Sequence, residues 1–97
     1  MKYFAFIYKY NPQDPRIAEV RPAHREFIAK LADENRILGS GPFTDSEGGA
    51  LIVLQLPTDS EVDKAIAIMD EDPFFSNNLV SRRDVREWNP VINSFEA

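Results

Sequence analysis

The chain has 97 residues and a mass of 11.1 kDa, which limits it to one small domain over residues 1–97, and 43% of its residues are apolar, enough to build a core. Sixteen acidic against eleven basic residues give a net charge of −5, which argues against nucleic-acid binding through phosphate neutralisation. The lack of cysteine excludes disulfides and thiolate metal sites; together with the lack of a leader or a membrane-length apolar run, it predicts a cytoplasmic protein.

The first third of the chain predicts a central strand followed by a helix. Residues 1–10 (MKYFAFIYKY) place apolar side chains on both faces of an extended chain, as in a strand covered on both sides. A loop over residues 11–15 follows. Pro22 suits the first helical position because its missing N–H needs no partner there. We therefore predict a helix from Pro22 to Asn35, with His24 in its first turn.

The middle of the chain predicts two strands joined by a polar turn. Residues 37–43 (ILGSGPF) form the second strand, which is weakened by its two glycines. The turn covers residues 44–49. Residues 50–56 (ALIVLQL) are almost continuously apolar, which predicts another central strand.

The last third predicts a second helix and an edge strand. Residues 58–61 (TDSE) match a capping box, so the helix is expected to begin there and to run to about Met69. Asp72 precedes Pro73, a pattern typical of an N-cap opening a short turn. Residues 80–88 are largely charged, which favours an edge strand.

This β-α-β-β-α-β order predicts an α+β, ferredoxin-like fold. Its four-stranded antiparallel sheet has the order 4-1-3-2, with both helices on one face. The other face would expose apolar side chains of the first and third strands, so we expect a homodimer that packs through this sheet face. Alternatively, the tail Pro90–Ala97 covers that face or crosses to the partner.

His24 is the only histidine, and it shares an apolar stripe with Phe27, Ile28 and Leu31. It is either a core histidine bonded to a backbone carbonyl or a general base, kept uncharged by the positive end of the helix. Asp72 is either a simple N-cap or a carboxylate that orients His24. The two roles of Asp72 are compatible, since a carboxylate has two oxygens.

A second group of candidates would bind substrate: Gly39, Ser40, Gly41 and Pro42. These residues form either a bulged edge strand or a close backbone approach to a ligand, with Ser40 as a donor. Arg21 is an anion anchor or part of a surface salt bridge. No P-loop is present, and one histidine does not make a metal site, so neither a cofactor nor a metal is predicted. Three aromatic residues are expected in the core or an interface rather than around a ligand: Tyr3, Tyr8 and Phe43.

Three of these segments together resemble the landmarks of the YciI-like (YCII-related) family: RPAH at 21–24, GSGP at 39–42 and DPF at 72–74. The family is similar to the dimeric α+β barrel proteins, including muconolactone isomerase. The resemblance implies that fold, a homodimer, and His24 with Asp72 as the active-site pair. A relative associated with dehydrochlorination of a hydroxylated aromatic implies proton transfer on a small ring.

The chain departs from the family pattern at two places. Asn77-Asn78 stands where Ala-Gly is common, but asparagine tolerates the left-handed conformation, so the turn is expected to persist. Glu87-Trp88 replaces proline followed by an aromatic residue, which leaves the exit path of the chain open.

Three hypotheses of function follow. The first is a cofactor-independent enzyme of lyase or isomerase type, acting on a small aromatic or enol-like molecule with His24 and Asp72. The second is a non-catalytic dimer that binds a small molecule in the same cleft. The third is an assembly module that uses the apolar sheet face. A hydrogen bond between Asp72 and the His24 ring, beside an open cleft, would favour the first.

Overall fold

The computed structural model describes residues 1–95, so Glu96 and Ala97 of the predicted tail lie outside the described part. Its elements follow the predicted order, with one added short helix. They are β1 (Lys2–Lys9), α1 (Pro15–Asp33), β2 (Ile37–Pro42), β3 (Ala50–Leu56), α2 (Val62–Met69), α3 (Pro73–Ser76) and β4 (Arg82–Trp88).

The four strands form one antiparallel sheet in the order β2-β3-β1-β4. This confirms the predicted order 4-1-3-2 and the α+β, ferredoxin-like fold. The two most apolar strands are central, where neighbours cover both of their edges. The charged strand β4 lies at an edge, as its composition predicts.

The core lies between the helices and the inner face of the sheet, which is the face that carries Phe4, Phe6 and Tyr8 of β1. Apolar side chains of α1 and α2 pack onto this face, and they include Ile17, Leu31, Ala65 and Met69. Alternation along β1 thus buries the Tyr8 ring among apolar residues while its hydroxyl must find a polar partner.

The predicted start of the first helix is wrong: α1 begins at Pro15, not at Pro22. Asp14 is the N-cap, and its side chain accepts a hydrogen bond from the backbone N–H of Arg16 at 3.0 Å. Hydrogen bonds from the side chain and the backbone of Arg16 hold the pKa of Asp14 below its usual value, so the cap stays ionised. The helix is therefore capped at its N-terminus and begins seven residues earlier than predicted.

Pro22 lies inside α1, where it cannot donate a hydrogen bond to the carbonyl of Ala18. His24 then lies in the third turn of the helix. The expectation that the helix N-terminus keeps the imidazole uncharged does not apply, because that effect is confined to the first turn.

The predicted capping box at residues 58–61 is also wrong. The backbone N–H of Ser60 donates to the carbonyl of Pro57 at 2.9 Å, which closes a turn before the helix. Glu61 is the N-cap of α2, and its side chain makes no capping hydrogen bond. The sequence pattern of a capping box is present, but the chain uses these residues to turn.

Other boundaries shift by two residues or fewer. Strand β1 covers Lys2–Lys9, β2 ends at Pro42, β4 begins at Arg82, and α1 ends at Asp33. Asn35 follows α1 with φ of 60°, and Asn78 has φ of 58°. The expectation of a left-handed asparagine in the 77–78 turn is confirmed at Asn78.

Gly49 fixes the approach of β3 to β1. Its φ is 86°, and a Cβ at this position would collide with the carbonyl oxygen of Tyr8. Only glycine combines this φ with such a close contact. Gly49 thus allows Ala50 to pair with Tyr8 in the sheet.

The outer face of the sheet, opposite the helices, carries Ile7, Leu51 and Trp88, whose exposed fractions are 38%, 38% and 42%. The tail reaches this face beside Gly39, where Phe95 lies 3.8 Å from the position of a Cβ on Gly39. Val91 and Ile92 stay exposed. The tail therefore covers the outer face only in part.

Candidate active site

His24 lies on the side of α1 that faces the sheet, and only 9% of its surface is exposed. Its ring stacks on Phe74 of α3, with centroids 4.1 Å apart and planes 11° from parallel. This stack fixes the plane of the imidazole. The direction of its two nitrogens within that plane is then set by hydrogen bonds.

Asp72 is fully buried between α2 and α3, and it holds the imidazole. The Nδ1 atom of His24 lies 2.8 Å from Oδ1 and 3.1 Å from Oδ2 of Asp72. Asp72 is also the N-cap of α3, where Oδ1 accepts a hydrogen bond from the backbone N–H of Phe74 at 3.0 Å. Asp72 therefore caps α3 and contacts the His24 ring at the same time.

Tyr8 completes the hydrogen bonding of Asp72. Its hydroxyl lies beneath Asp72 and donates a hydrogen bond to Oδ2 at a distance of 2.8 Å. Burial, followed by the negative charge of Asp72, raises the pKa of Tyr8 above its usual value. The hydroxyl thus stays protonated and remains a donor to the carboxylate.

This arrangement sets which nitrogen of His24 is free. Since Asp72 accepts at both oxygens, the neutral ring carries its proton on Nδ1, an assignment that rests on the hydrogen bonds. Nε2 then has an unshared electron pair. It makes no hydrogen bond to any other group within residues 1–95. The ring is therefore held with Nδ1 toward Asp72, and Nε2 is left without a hydrogen-bond partner among these residues.

The imidazole lines an open cleft of about 260 Å³ between α1, α3 and the ends of β1, β2 and β3. Of the predicted site residues, this cleft brings together His24, Arg21, Ser40, Gly41 and Pro42, with Asp72 directly behind the ring. Gly39 lies off the cleft, because the bulge at residues 37–39 leaves it beside Phe95 on the outer face.

The remaining lining residues were not predicted: Tyr10, Arg25, Ile28, Ala29, Ala50 and Phe74. Two signals in the sequence point to them. Arg25, Ile28 and Ala29 share a helical face with Arg21 and His24 at spacings of three and four residues. Alternation in β1 puts Tyr8 and Tyr10 on the face that carries Phe4 and Phe6, where a buried hydroxyl requires a partner.

Within residues 1–95, no three histidine, aspartate or glutamate side chains are grouped so that they could hold a metal ion. None of the helices in the same range is both long enough and apolar enough to pass through a membrane.

The model of the YCII-related domain matches residues 1–89. The chain belongs to the YCII-related family. The match includes the three segments at 21–24, 39–42 and 72–74, and it ends just before the tail. No curated protein sequence matches the chain.

A solved structure with the same fold as this YCII-related chain has a TM-score of 0.74 over 90% of this chain and 93% of the other, at 20% identity. It is the 5-chloro-2-hydroxyhydroquinone dehydrochlorinase TftG from Burkholderia phenoliruptrix AC1100, in complex with 2,5-dihydroxybenzoquinone. At this identity the likeness establishes the fold.

Proposed function

We propose that this YCII-related protein is a cofactor-independent enzyme that moves a proton on a small aromatic or enol-like molecule. The observation that carries the proposal is the 2.8 Å contact between His24 Nδ1 and Asp72, with the ring at the wall of an open cleft. A general base needs a free nitrogen within reach of substrate and a partner that stabilises the charge it gains. This geometry offers both.

In the proposed reaction, Nε2 of His24 takes a proton from carbon or from a hydroxyl of the bound molecule. The imidazolium that forms is stabilised by the carboxylate of Asp72. In an isomerisation, the same proton returns to a different atom of the substrate. In an elimination, the electron pair left behind expels a leaving group, and the proton leaves with solvent. Neither route consumes an oxidant or a reductant.

The substrate-binding residues in this proposal are Arg21, Ser40, Gly41 and Pro42. The hydroxyl of Ser40 and the backbone of β2 can position a polar group of the ligand, because Ser40, Gly41 and Pro42 line the same cleft as His24. Gly39, included on sequence grounds, has no such place. The choice of an aromatic or enol-like substrate draws on the ligand described for TftG.

The test is an activity screen of the wild-type protein and His24→Ala against catechol-, muconolactone- and quinol-type compounds. Loss of the general base should lower kcat by about 10²- to 10⁴-fold. His24→Gln keeps most of the volume against Phe74 and guards against misfolding. Glu26→Ala, an exposed change on the same helix, is the control and should keep full activity.

Two outcomes would reject this proposal. Turnover that persists in both His24 variants would remove the imidazole from the reaction. Binding without turnover of any compound would favour the second hypothesis, a dimer that binds a small molecule without catalysis.

We also propose that the protein forms a homodimer through the outer face. Ile7, Leu51 and Trp88 each expose more than a third of their surface there, with the tail residue Phe95 beside Gly39 on the same face. Clustered apolar side chains of this kind are typical of protein interfaces.

A further inference from the structure

The cleft beside His24 is positively charged, although the chain is acidic overall. Arg21 and Arg25 both line it, and its lining includes no aspartate or glutamate. The net charge of the whole protein is −5. The charge of the cleft therefore differs in sign from that of the molecule around it, which favours entry of an anion.

Neither arginine has a counter-ion among the described residues. Within residues 1–95, Arg21 and Arg25 take part in no ion pair, whereas three other arginines each contact an aspartate: Arg16, Arg82 and Arg83. Arg21 and Arg25 also stand four residues apart on α1, where two like charges destabilise a helix. The stability of the fold therefore does not explain why Arg21 and Arg25 both lie on the face of α1 that lines the cleft.

Arg21 is partly withdrawn from solvent beside Tyr10. Burial raises the pKa of Tyr10, and the charge of Arg21 opposes this shift. A guanidinium in such a place is less well hydrated than one on an open surface, so an anion gains more from binding it. Arg25 is exposed at the rim of the same cleft.

Apart from His24, Ser40 and Gly41, the other lining residues are apolar or aromatic: Tyr10, Ile28, Ala29, Pro42, Ala50 and Phe74. The cleft volume of about 260 Å³ is just below the range of roughly 300–1,000 Å³ that holds drug-sized ligands. A single ring fits such a space.

We infer that the cleft binds small aromatic monoanions, with the anionic oxygen at Arg21 and Arg25 and the ring against the apolar wall beside His24. The inference rests on the proposed function, since it names the substrate class of the same site. Carboxylates and phenolates share this chemistry, and the arms of the experiment distinguish them.

The experiment titrates the ¹⁵N-labelled full chain with benzoate and with its neutral analogue benzamide, following the amide signals of Ser40 and Gly41. We expect benzoate to bind about tenfold more tightly, as a charge-assisted hydrogen bond predicts. Added salt should weaken the binding of benzoate and leave the binding of benzamide unchanged. A second arm compares 4-nitrophenolate with 4-nitroanisole, and a tighter anion in either arm supports the inference.

Arg25→Gln should lower the affinity for benzoate about fivefold or more while leaving the affinity for benzamide unchanged. Arg21→Gln should do the same, and Arg21→Lys, which keeps the charge, should lose less. Lys30→Gln is the matched control, because it removes one positive charge from the same helix away from the cleft. It should bind benzoate as the wild type does.

Three results would overturn the inference: anion and neutral analogue binding within about twofold of each other, arginine variants that bind like Lys30→Gln, or no binding of any anion. Binding is measured without turnover. Anion selectivity can therefore survive a finding that His24 is not catalytic, and catalysis by His24 can survive a cleft that prefers neutral molecules.

Discussion

Three donors contact the carboxylate of Asp72, and they are shared between its two oxygens. Oδ1 accepts from the backbone N–H of Phe74 and lies nearest to His24, while Oδ2 accepts from Tyr8. Each bond satisfies part of a carboxylate that is entirely removed from water. The helix cap and the orientation of the imidazole are therefore one structural feature.

Tyr8→Phe tests the contribution of the buried hydroxyl. It removes one donor from a fully buried carboxylate, so we expect a loss of about 2 kcal/mol in the free energy of unfolding, measured with urea. Tyr3→Phe is the control, because Tyr3 lies on the outer face of the same strand and its hydroxyl makes no hydrogen bond within residues 1–95. An equal effect of the two changes would contradict the assigned role.

The same variant separates positioning from substrate binding. Tyr8 does not line the cleft, so Tyr8→Phe should lower kcat and leave KM nearly unchanged once a substrate is known. The single histidine gives one set of imidazole ¹⁵N signals, which report whether the proton stays on Nδ1. A rise in KM with unchanged kcat would instead place Tyr8 in substrate binding.

At the scale of elements, the strands could be predicted from sequence more closely than the helix starts. Burial on both faces gives β1 and β3 continuous apolar runs, and charge marks β4 as an edge, so composition alone ranks the strands. The start of α1 was predicted wrongly because Asp14-Pro15 and Arg21-Pro22 both place a proline after a polar residue, and only the proline was weighed. Asp14 can cap a helix and Arg21 cannot, and that difference decides the start.

The pairing of His24 with Asp72 was expected from both the residues and the family resemblance, although the argument from the helix N-terminus was wrong. Tyr8 and Arg25 were not expected. Tyr8 reads as a core aromatic residue until its hydroxyl partner is seen, since the partner is 64 residues away in the chain. Long-range contacts of this kind follow from the packing of elements, which local patterns do not describe.

Exchange of the two helix prolines for alanine tests the structure of α1. Pro22→Ala restores an N–H that can reach the carbonyl of Ala18, so we expect the free energy of unfolding to rise by about 1 kcal/mol. Pro15→Ala restores no helix hydrogen bond, because the first helical N–H has no partner within the helix. It only raises the conformational entropy of the unfolded chain, so it should lower the free energy of unfolding by about 0.5 kcal/mol. Opposite signs measured by urea denaturation would support this helix, and reversed signs would support a start at Pro22.

At the scale of the whole molecule, the fold leaves its two faces unequal. The helices seal one face of the sheet, and the other retains exposed apolar side chains in both central strands. Val53, at the middle of the outer face, is buried at 6% exposure, while Leu51 beside it on β3 is exposed at 38%. A second sheet laid on this face would cover the exposed side chains without disturbing the cleft, which opens between the helices and the strand ends.

Leu51→Asp tests the dimer directly. We expect the wild type to sediment at about twice its 11.1 kDa chain mass at micromolar concentration, and Leu51→Asp to sediment as a monomer, because a charge at the interface would be buried without a partner. Val62→Asp is the matched control. Val62 has nearly the same exposure, 39%, but lies on α2 in the helix layer, so its variant should remain dimeric. A wild-type monomer would refute the dimer and leave the tail, with Phe95 against β2, as the cover of the outer face.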